Sequence, residues 1–447
     1  MRRLLSSRQL RTAKVTSAHW QRRAVFVIGG ITVGAVAVAM ALAADWVQVA
    51  FGLFVAKWHY ASLIVTPAGF ALSVFLTNRY FQNSQGSGIP QAIAARELTD
   101  QEARGRLVSI RIAIGKVLLT LLGLLCGASA GREGPTVQVG ASIMFAIGRF
   151  SPRRQPGLIL AGAAAGVAAA FNTPLAGIVF GIEEMSRAFE TRTSGLIIAA
   201  VIAAGLTSLA LVGNYAYFGT TPAMLRNGLD WLAVPLCGVA GGLAGGAFSR
   251  IVIVVARGLP GRFGRALKAN PIPFALACGV AVALCGIASG DTIYGTGYAQ
   301  VKAALEGGKP LGGDFGLFKF LATTFSTVSG IPGGIFSPSL AVGAGLGANI
   351  AHLFPTAPVA PIILLGMVSY FAGVVQAPIT AFVIVTEMTD NHAMVIPLMC
   401  AALIGYGASK LVCPEGIYHA LAKGFAHPKA PGQPEDSVRT STRLPQC

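Results

Sequence analysis

The sequence predicts an all-α, polytopic membrane protein built from two homologous halves. Of its 447 residues, 54% are hydrophobic and 11% are charged, whereas a soluble domain carries about 25% charged residues. Apolar stretches of about 20 residues, the length that spans a bilayer, recur along the chain. Two blocks of sequence in the first half of the chain also recur in the second half, about 200 residues later in both cases. Composition therefore predicts the membrane class, and the repeat predicts the two halves.

Many of the apolar stretches are interrupted by glycine or proline, so they need not be simple spanning helices. They lie near residues 24–44, 47–77, 108–126, 157–182, 195–213, 230–256, 272–289, 317–351, 360–386 and 393–413. The 56 glycines suit tightly packed membrane helices. We divide the chain into a basic segment 1–23, membrane halves 24–215 and 216–425, and a disordered, proline-rich tail 426–447.

The charge of the chain is strongly positive, at +17. Seven Lys and Arg residues precede the first apolar run, which is too long for a cleaved signal. Basic residues keep loops on the cytoplasmic side, so we expect a multi-pass protein of the inner (plasma) membrane with a cytoplasmic N-terminus. Nucleic-acid binding would need a basic patch on a soluble module, and the sequence shows no such module.

The seven cysteines and six histidines are scattered along the chain. No CxxC occurs, and no His or Cys spacing is typical of a metal site. We therefore expect no disulfide framework, no metal and no cofactor.

The repeat has two matching blocks. "GREGPTVQVGASI" pairs with "GGIFSPSLAVGAG", which matches Pro135 to Pro338. "AAAFNTPLAGIVFGIEEM" pairs with "AGVVQAPITAFVIVTEM", which matches Pro174 to Pro378, and the offsets are 203 and 204 residues. Paired halves with interrupted apolar segments are typical of transporters, whose substrate site lies at the repeat interface between the ends of broken helices.

Three short loops have glycine first and proline fifth: Gly86–Pro90, Gly131–Pro135 and Gly334–Pro338. Proline suits the first turn of a helix, and a helix N-terminus binds anions through free amides and its dipole. Three converging N-termini would form an anion-selective filter, although each loop alone is also compatible with an ordinary helix break. The predicted filter residues are Gly86, Gly88, Ile89, Pro90, Gly131, Arg132, Gly134, Pro135, Gly334, Ser337 and Pro338.

Glu133 lies inside the second loop, where it would face the amides that hold the anion. Its carboxylate can take the place of the anion and leave when protonated, so it can serve as both gate and proton carrier. The alternatives are a salt bridge with Arg132 and a surface position. Ser87, in the first loop, can donate a hydroxyl to an anion or cap a helix. Tyr418, taken alone, is typical of an interfacial tyrosine.

Glu183 and Glu184 end an apolar run and point about 100° apart on a helix. By the repeat, Glu183 matches Glu387, which indicates a structural role common to both halves. Glu184 matches Met388, and this asymmetry favours Glu184 as the proton-handling residue over a charge at the water interface.

Two cations, Arg111 and Lys116, are expected at the membrane edge. They would either snorkel to water or supply a positive field that steadies the anion.

Together these motifs resemble the CLC family of chloride channels and chloride/proton antiporters. The resemblance covers about residues 24–425 and includes GSGIP, GREGP, GIFSP, the "AAAFNTPLAGIVFGIEEM" run, "APIT…TEMTDN" and a late tyrosine, all in family order. It implies a homodimer with one pore in each subunit, and two inverted halves of broken helices in each subunit.

The resemblance also implies residue roles. Chloride would be held by the hydroxyls of Ser87 and Tyr418 and by the backbone amides of Ile335 and Phe336. Glu133 matches the external gating glutamate, Glu184 the internal proton glutamate of the antiporters, and Lys116 a basic residue near the ion path. Exchangers of this type move about two chloride ions per proton. The serine at position 87 favours chloride over fluoride and nitrate.

Three functions follow in order of preference. The first is a chloride/proton antiporter, favoured by Glu184 beside Glu133, and the second is a passive chloride channel of the same fold. A membrane-embedded enzyme using both glutamates is disfavoured, because no nucleophile or cofactor loop accompanies them. Gln91 and Ile93 stand where some antiporters carry acidic residues, so the route of protons from Glu184 to the cytoplasm is open.

Overall fold

The computed structural model describes residues 7–150, 154–186, 191–213, 215–226 and 228–426. The predicted tail from residue 427 onward lies outside these ranges. The helices of the first half are α1 (Ser7–Lys57), α2 (Ser62–Tyr80), α3 (Ile89–Glu97), α4 (Gln101–Gly105), α5 (Ile110–Leu125), α6 (Glu133–Ile147), α7 (Gln155–Phe171), α8 (Pro174–Phe180) and α9 (Thr191–Val212).

The second half is helical in the same manner. Its helices are α10 (Ala233–Arg257), α11 (Gly261–Ala269), α12 (Pro271–Ala288), α13 (Tyr298–Leu305), α14 (Phe315–Val328), α15 (Phe336–Ala351), α16 (Val359–Val375), α17 (Pro378–Thr389), α18 (Val395–Val412) and α19 (Ile417–Ala426). A π-helix, Gly181–Ser186, extends α8. Within the described ranges, seven helices are long and apolar enough to cross a membrane, so the predicted all-α membrane fold is confirmed.

The first two apolar runs, 24–44 and 47–77, do not each form one helix. α1 continues through Asp45 to Lys57, and the chain breaks after it. Within α1, Asp45 forms an ion pair with Arg132 from the α5–α6 connection.

The interrupted runs fold as broken helices, as their glycines and prolines predict. The run 157–182 divides into α7 and α8, and 360–386 divides into α16 and α17. Both breaks have one geometry: Asn172 and Gln376 end their helices with φ of 57° and 61°. A proline two residues later begins each following helix. The positions differ by the 204 residues of the sequence repeat.

Glu183 and Glu387 tie the two halves together by reciprocal contacts. The Glu387 carboxylate accepts the backbone N–H groups of Leu175 and Ala176 at the start of α8, at 3.1 and 2.6 Å. The Glu183 carboxylate accepts those of Ile379 and Thr380 at the start of α17, also at 3.1 and 2.6 Å. Each half therefore caps a helix N-terminus of the other across an approximate two-fold axis.

The repeat also relates Lys116 to Lys319, which are 203 residues apart. The buried ammonium of Lys116 donates to the carbonyls of Ser84 and Gly86 at 2.6 and 2.7 Å. That of Lys319 donates to the carbonyls of Ile293 and Gly295 at 2.7 Å each. "GTGYA" (Gly295–Ala299) is thus the second-half counterpart of GSGIP, and its glycines 295 and 297 also have positive φ.

The two counterpart loops open toward opposite ends of the molecule. The loop at Gly86 lines a cavity of about 610 Å³ that also contains Asn78, near the end of α2. The loop at Gly295 lines another cavity of about 610 Å³, together with residues 48–56, which precede α2. Because α2 runs from one side to the other over 19 residues, the halves are inverted relative to each other.

Candidate functional site: an anion filter with a glutamate in it

The three predicted loops meet at one place. Gly334 exchanges two backbone hydrogen bonds with Gly131, both of 2.7 Å. The first loop joins the same strip, because the Gly86 N–H donates to Ile331 O at 3.2 Å and the Gly333 N–H donates to Gly86 O at 3.0 Å. The segment 331–334 therefore lies between the first and second loops and fixes both.

Glycine is required where the loops approach one another. A Cβ atom on Gly134 would lie 2.9 Å from the carbonyl oxygen of Ser87 and 3.1 Å from Cα of Gly334. These distances leave no room for a larger residue without a shift of backbone. Gly134 thus lets the start of α6 pack against both other loops.

Three of the four residues predicted to bind chloride line one cavity. Ser87, Ile335 and Tyr418 line the same vestibule of about 610 Å³. Phe336 begins α15 and Ile335 precedes it, so their amides belong to the helix end that has no intrahelical acceptor. Within the described part of the chain, the buried hydroxyl of Tyr418 has no hydrogen-bond partner. A buried donor without a protein partner is suited to an anion.

Aromatic rings enclose the start of α15. The ring of Phe336 stacks on Phe171 at 6.1 Å and meets Phe180 and Phe371 edge-on at 5.8 and 4.9 Å. Tyr418 lies 6.0 Å from it. This apolar shell limits water around the filter, which strengthens the interaction of an anion with the helix amides.

Glu133 is fully buried as the first residue of α6. Its Oε1 accepts the Ser337 hydroxyl of the third loop at 2.5 Å and the Tyr217 hydroxyl at 3.5 Å. Among the described residues its Oε2 has no hydrogen-bond partner. The carboxylate is therefore held by hydroxyls at a helix N-terminus, and the surface alternative for Glu133 is wrong.

Arg132 makes its ion pair with Asp45 of α1. Its Nη1 donates to Asp45 Oδ1 at 2.5 Å and to Ala41 O at 2.6 Å. The Arg132 side chain is 5% exposed and that of Asp45 52%, so the pair reaches from the protein interior to an outer recess. The guanidinium also lies 5.8 Å from the ring centre of Tyr217, so it supports that ring beside Glu133.

Glu184 lies in the π-helix, where its side chain is 5% exposed. It is not a charge at the water interface. The backbone oxygen of Glu184 lies 2.9 Å from Nε2 of His419, and its carboxylate Oε1 lies 3.6 Å from the same nitrogen. Such single-turn π segments are frequent at functional sites. Tyr418 precedes His419 in α19.

The two predicted cations, Lys116 and Arg111, differ in burial. Lys116 is fully buried and bonded to loop carbonyls, so it does not snorkel. Its donation to Ser84 O and Gly86 O fixes the start of the GSGIP loop. Arg111 is exposed and donates to Tyr80 O at 2.9 Å. Among the described residues, no group of three or more His, Cys, Asp or Glu is placed to hold a metal ion.

Sequence reasoning missed Tyr217, His419, Asp45 and Lys319. Lys319 could have been found, because it lies at the repeat offset from Lys116. Tyr217 is in the connection between the halves, and His419 stands beside a residue already singled out. Neither belongs to a matched motif, so the sequence offers no signal for their roles.

Comparison with known proteins agrees with this architecture. Residues 69–410 match the family described as voltage gated chloride channel. A protein of Yersinia pseudotuberculosis named H(+)/Cl(-) exchange transporter ClcA is 33% identical over 424 residues, covering 88% of this chain and 85% of its own. A protein of the same name from Vibrio cholerae is 31% identical over 399 residues, covering 84% and 82%.

Solved structures show the same fold. A CLC-type fluoride/proton antiporter superposes with a TM-score of 0.77 at 22% identity, covering 90% of this chain and 97% of that one. A slow cyanobacterial Cl-/H+ antiporter gives 0.72 at 24% identity, with the same coverage. Because the family match spans most of its length, this chain belongs to the CLC (voltage gated chloride channel) family.

Proposed function

We propose that this protein is a secondary active transporter that exchanges chloride for protons, at about two chloride ions per proton. Glu133 is the gate and the outer proton-accepting group, and Glu184 is the inner one. The relatives from Yersinia and Vibrio, named as exchange transporters, support this assignment.

The position of the Glu133 carboxylate carries the proposal. It lies where the three loops meet, at the N-terminus of α6, and accepts a hydroxyl from the third loop. Helix N-termini favour negative charge, so an ionised Glu133 competes with chloride for this place. A protonated Glu133 loses that advantage and leaves. Proton uptake and chloride entry are thus coupled at one position.

Chloride is held in this proposal by partial charges alone. The ligands are the hydroxyls of Ser87 and Tyr418 and the amides of Ile335 and Phe336. The buried Lys116 is bonded to loop carbonyls on the other side of GSGIP. Binding without a full positive charge in contact with the ion is weak enough for release, as transport requires.

The wider setting follows the family. We propose a homodimer with an independent pore in each subunit, in the inner (plasma) membrane and with a cytoplasmic N-terminus. The vestibule that contains Ser87 and Tyr418 then opens to the cytoplasm, and Tyr217, Arg132 and Asp45 lie toward the outside.

Paired flux measurements on protein reconstituted in liposomes test the antiport. An outward chloride gradient should drive protons into the liposomes against their own gradient. Glu184→Gln should abolish proton uptake while chloride still moves, and Glu133→Gln, a mimic of the protonated gate, should also uncouple. Glu306→Gln, on an exposed surface, is the matched control and should couple normally.

A wild-type protein that passes chloride without proton movement under any gradient would contradict the proposal. It would favour the passive channel instead. A shift of reversal potential with the pH gradient distinguishes the two in a planar bilayer.

A further inference from the structure

We propose that the imidazole of His419 carries protons between cytoplasmic water and the Glu184 carboxylate. The inference rests on the proposed antiport, because it gives the inner glutamate its connection to water. It assigns a role to a residue that belongs to none of the motifs discussed above.

The hydrogen bond between His419 and Glu184 has a defined direction, with the histidine as donor. Nε2 of His419 lies 2.9 Å from the backbone oxygen of Glu184. A carbonyl oxygen can only accept, so Nε2 carries the hydrogen in the neutral ring. The same nitrogen lies 3.6 Å from Glu184 Oε1, so a small rotation of either side chain moves this hydrogen from the carbonyl to the carboxylate.

Burial places His419 between Glu184 and water. The side chain of His419 is 16% exposed, while that of Glu184 is 5% exposed. The ring therefore reaches both the protein surface and the buried carboxylate. A histidine has two nitrogens that can bind a proton near neutral pH, which makes it the side chain best suited to such a relay.

Three side chains of α3, those of Gln91, Ile93 and Arg96, cannot carry the proton. Ile93 is a buried hydrocarbon, and the amide nitrogen of Gln91 is turned to the carbonyls of Asn83 and Gln85. Arg96 donates to Met185 O and to the Ser186 hydroxyl, at 3.0 and 3.2 Å. A guanidinium stays protonated near neutral pH, so it cannot release its proton to a carrier.

Charged groups of both signs lie on the segments that pack around α19. The Glu184 carboxylate lies 3.6 Å from Nε2 of His419, and Arg96 of α3 binds the neighbouring Met185 O and Ser186 hydroxyl. On α10 and α19, Arg257 and Lys423 are bonded to Glu415 at 2.8 and 3.0 Å. An anionic partner at this distance from the ring favours proton uptake by the imidazole, and transfer to that partner returns the ring to its neutral form.

The route is separate from the chloride vestibule. The vestibule is lined on α19 by Ile417, Tyr418, Leu421, Gly424 and Phe425. His419 follows Tyr418 and points about 100° away around the helix, toward the π-helix. One helix therefore presents its tyrosine to the anion and its histidine to the proton.

The transfer is balanced in three steps. Water delivers a proton to Nδ1 and the ring becomes an imidazolium. The Nε2–H bond then breaks and an O–H bond forms on Glu184 Oε1. The neutral ring then swings toward the surface, where Nδ1 gives its proton to water and Nε2 takes one from water, and it swings back. The net result is one proton moved from water to Glu184.

The decisive variant is His419→Gln, because its amide nitrogen can keep the hydrogen bond to the Glu184 carbonyl but cannot relay a proton. In liposomes we expect chloride efflux to persist and proton uptake to fall at least tenfold. His419→Ala should show the same loss, and millimolar imidazole should restore proton uptake to it. Imidazole should not restore uptake to His419→Gln, whose side chain fills the space, or to His419→Ala combined with Glu184→Gln.

The outcomes separate the relay from the antiport. If wild-type and His419→Gln proteins couple equally well, the relay is overturned and the antiport stands. If the wild type itself moves no protons, both fall. A loss of proton uptake in His419→Ala that imidazole leaves unchanged would assign His419 a purely structural role and would also overturn the relay.

Discussion

At the scale of single residues, two hydroxyls reach one carboxylate oxygen of Glu133, the proposed gate. Ser337 donates to Glu133 Oε1 at 2.5 Å, and the Tyr217 hydroxyl lies 3.5 Å from the same atom. Hydrogen bonds to a charged group contribute about 1.5–3 kcal/mol each. The hydroxyls therefore hold the carboxylate in the filter, and the shorter bond contributes more.

Ser337→Ala should loosen the hold on the Glu133 carboxylate. The carboxylate loses its shortest hydrogen bond, so in the proposed mechanism chloride displaces it more easily. We expect chloride efflux at a fixed pH to rise by up to about tenfold, since 1.4 kcal/mol corresponds to a factor of ten. Tyr217→Phe should move it in the same direction by less.

Ser142→Ala is the control for this shift. Ser142 is a buried serine of α6 that donates within its own helix, to Gln138 O at 2.7 Å. Efflux by this variant should keep the wild-type rate. An unchanged rate in Ser337→Ala would show that the hydroxyl does not influence the proposed gate.

At the scale of helices, the two halves are joined by exchanged caps. Glu183 and Glu387 each accept two N–H groups from a helix of the other half, with the same pair of distances. Glu183 also accepts the Thr380 hydroxyl at 2.7 Å. Glu387 of α17 caps α8, and Glu183, which follows α8, caps α17. The two caps therefore fix the position of these helices relative to each other.

Glu183→Gln and Glu387→Gln should each destabilise the protein by a similar amount. The carboxamide has one acceptor oxygen and no charge for the helix dipole, and a lost cap costs about 1–2 kcal/mol. The measurement is thermal unfolding in detergent, followed by labelling of buried cysteines. Glu306→Gln, whose partner Lys302 lies 3.8 Å away on an exposed surface, should leave the unfolding temperature unchanged. A loss in one of the two cap variants without the other would contradict the symmetric role.

At the scale of the whole molecule, several basic residues lie at the Ser87 vestibule. Lys268 lines it, Arg257 stands between the lining residues Ala256 and Gly258, and Lys423 stands next to the lining residue Gly424. By the positive-inside rule, we propose that this end faces the cytoplasm. Its charge also raises the local concentration of anions at the vestibule.

Cysteine labelling tests this orientation. In a chain with Cys400 and Cys447 replaced by Ser, Lys309→Cys should react with an impermeant maleimide in intact cells. Arg262→Cys should react only after the membrane is permeabilised, and both side chains are exposed in the structure. The reverse pattern would place the vestibule outside and would exchange the inner and outer roles of the two glutamates.

Much of this molecule can be predicted from local sequence. The broken helices follow from prolines and glycines at fixed places, and the filter loops from their shared Gly and Pro positions. The apolar run that ends near residue 44 does not mark the end of the first helix, which continues to Lys57. Asp45 has a partner 87 residues away, and a local pattern does not show such a partner.

The sequence by itself determined the membrane class, the two halves, and the Gly/Pro loops. These loops lead into helix N-termini, which attract both an anion and the carboxylate of Glu133. These features depend on hydrophobicity and on backbone conformations that neighbouring residues set. The tertiary structure decided which groups meet: Asp45 with Arg132, Tyr217 with Glu133, and His419 with Glu184 across 235 residues. The physical reason is that such contacts depend on the packing of helices that are distant in the chain, and periodicity carries no record of that packing.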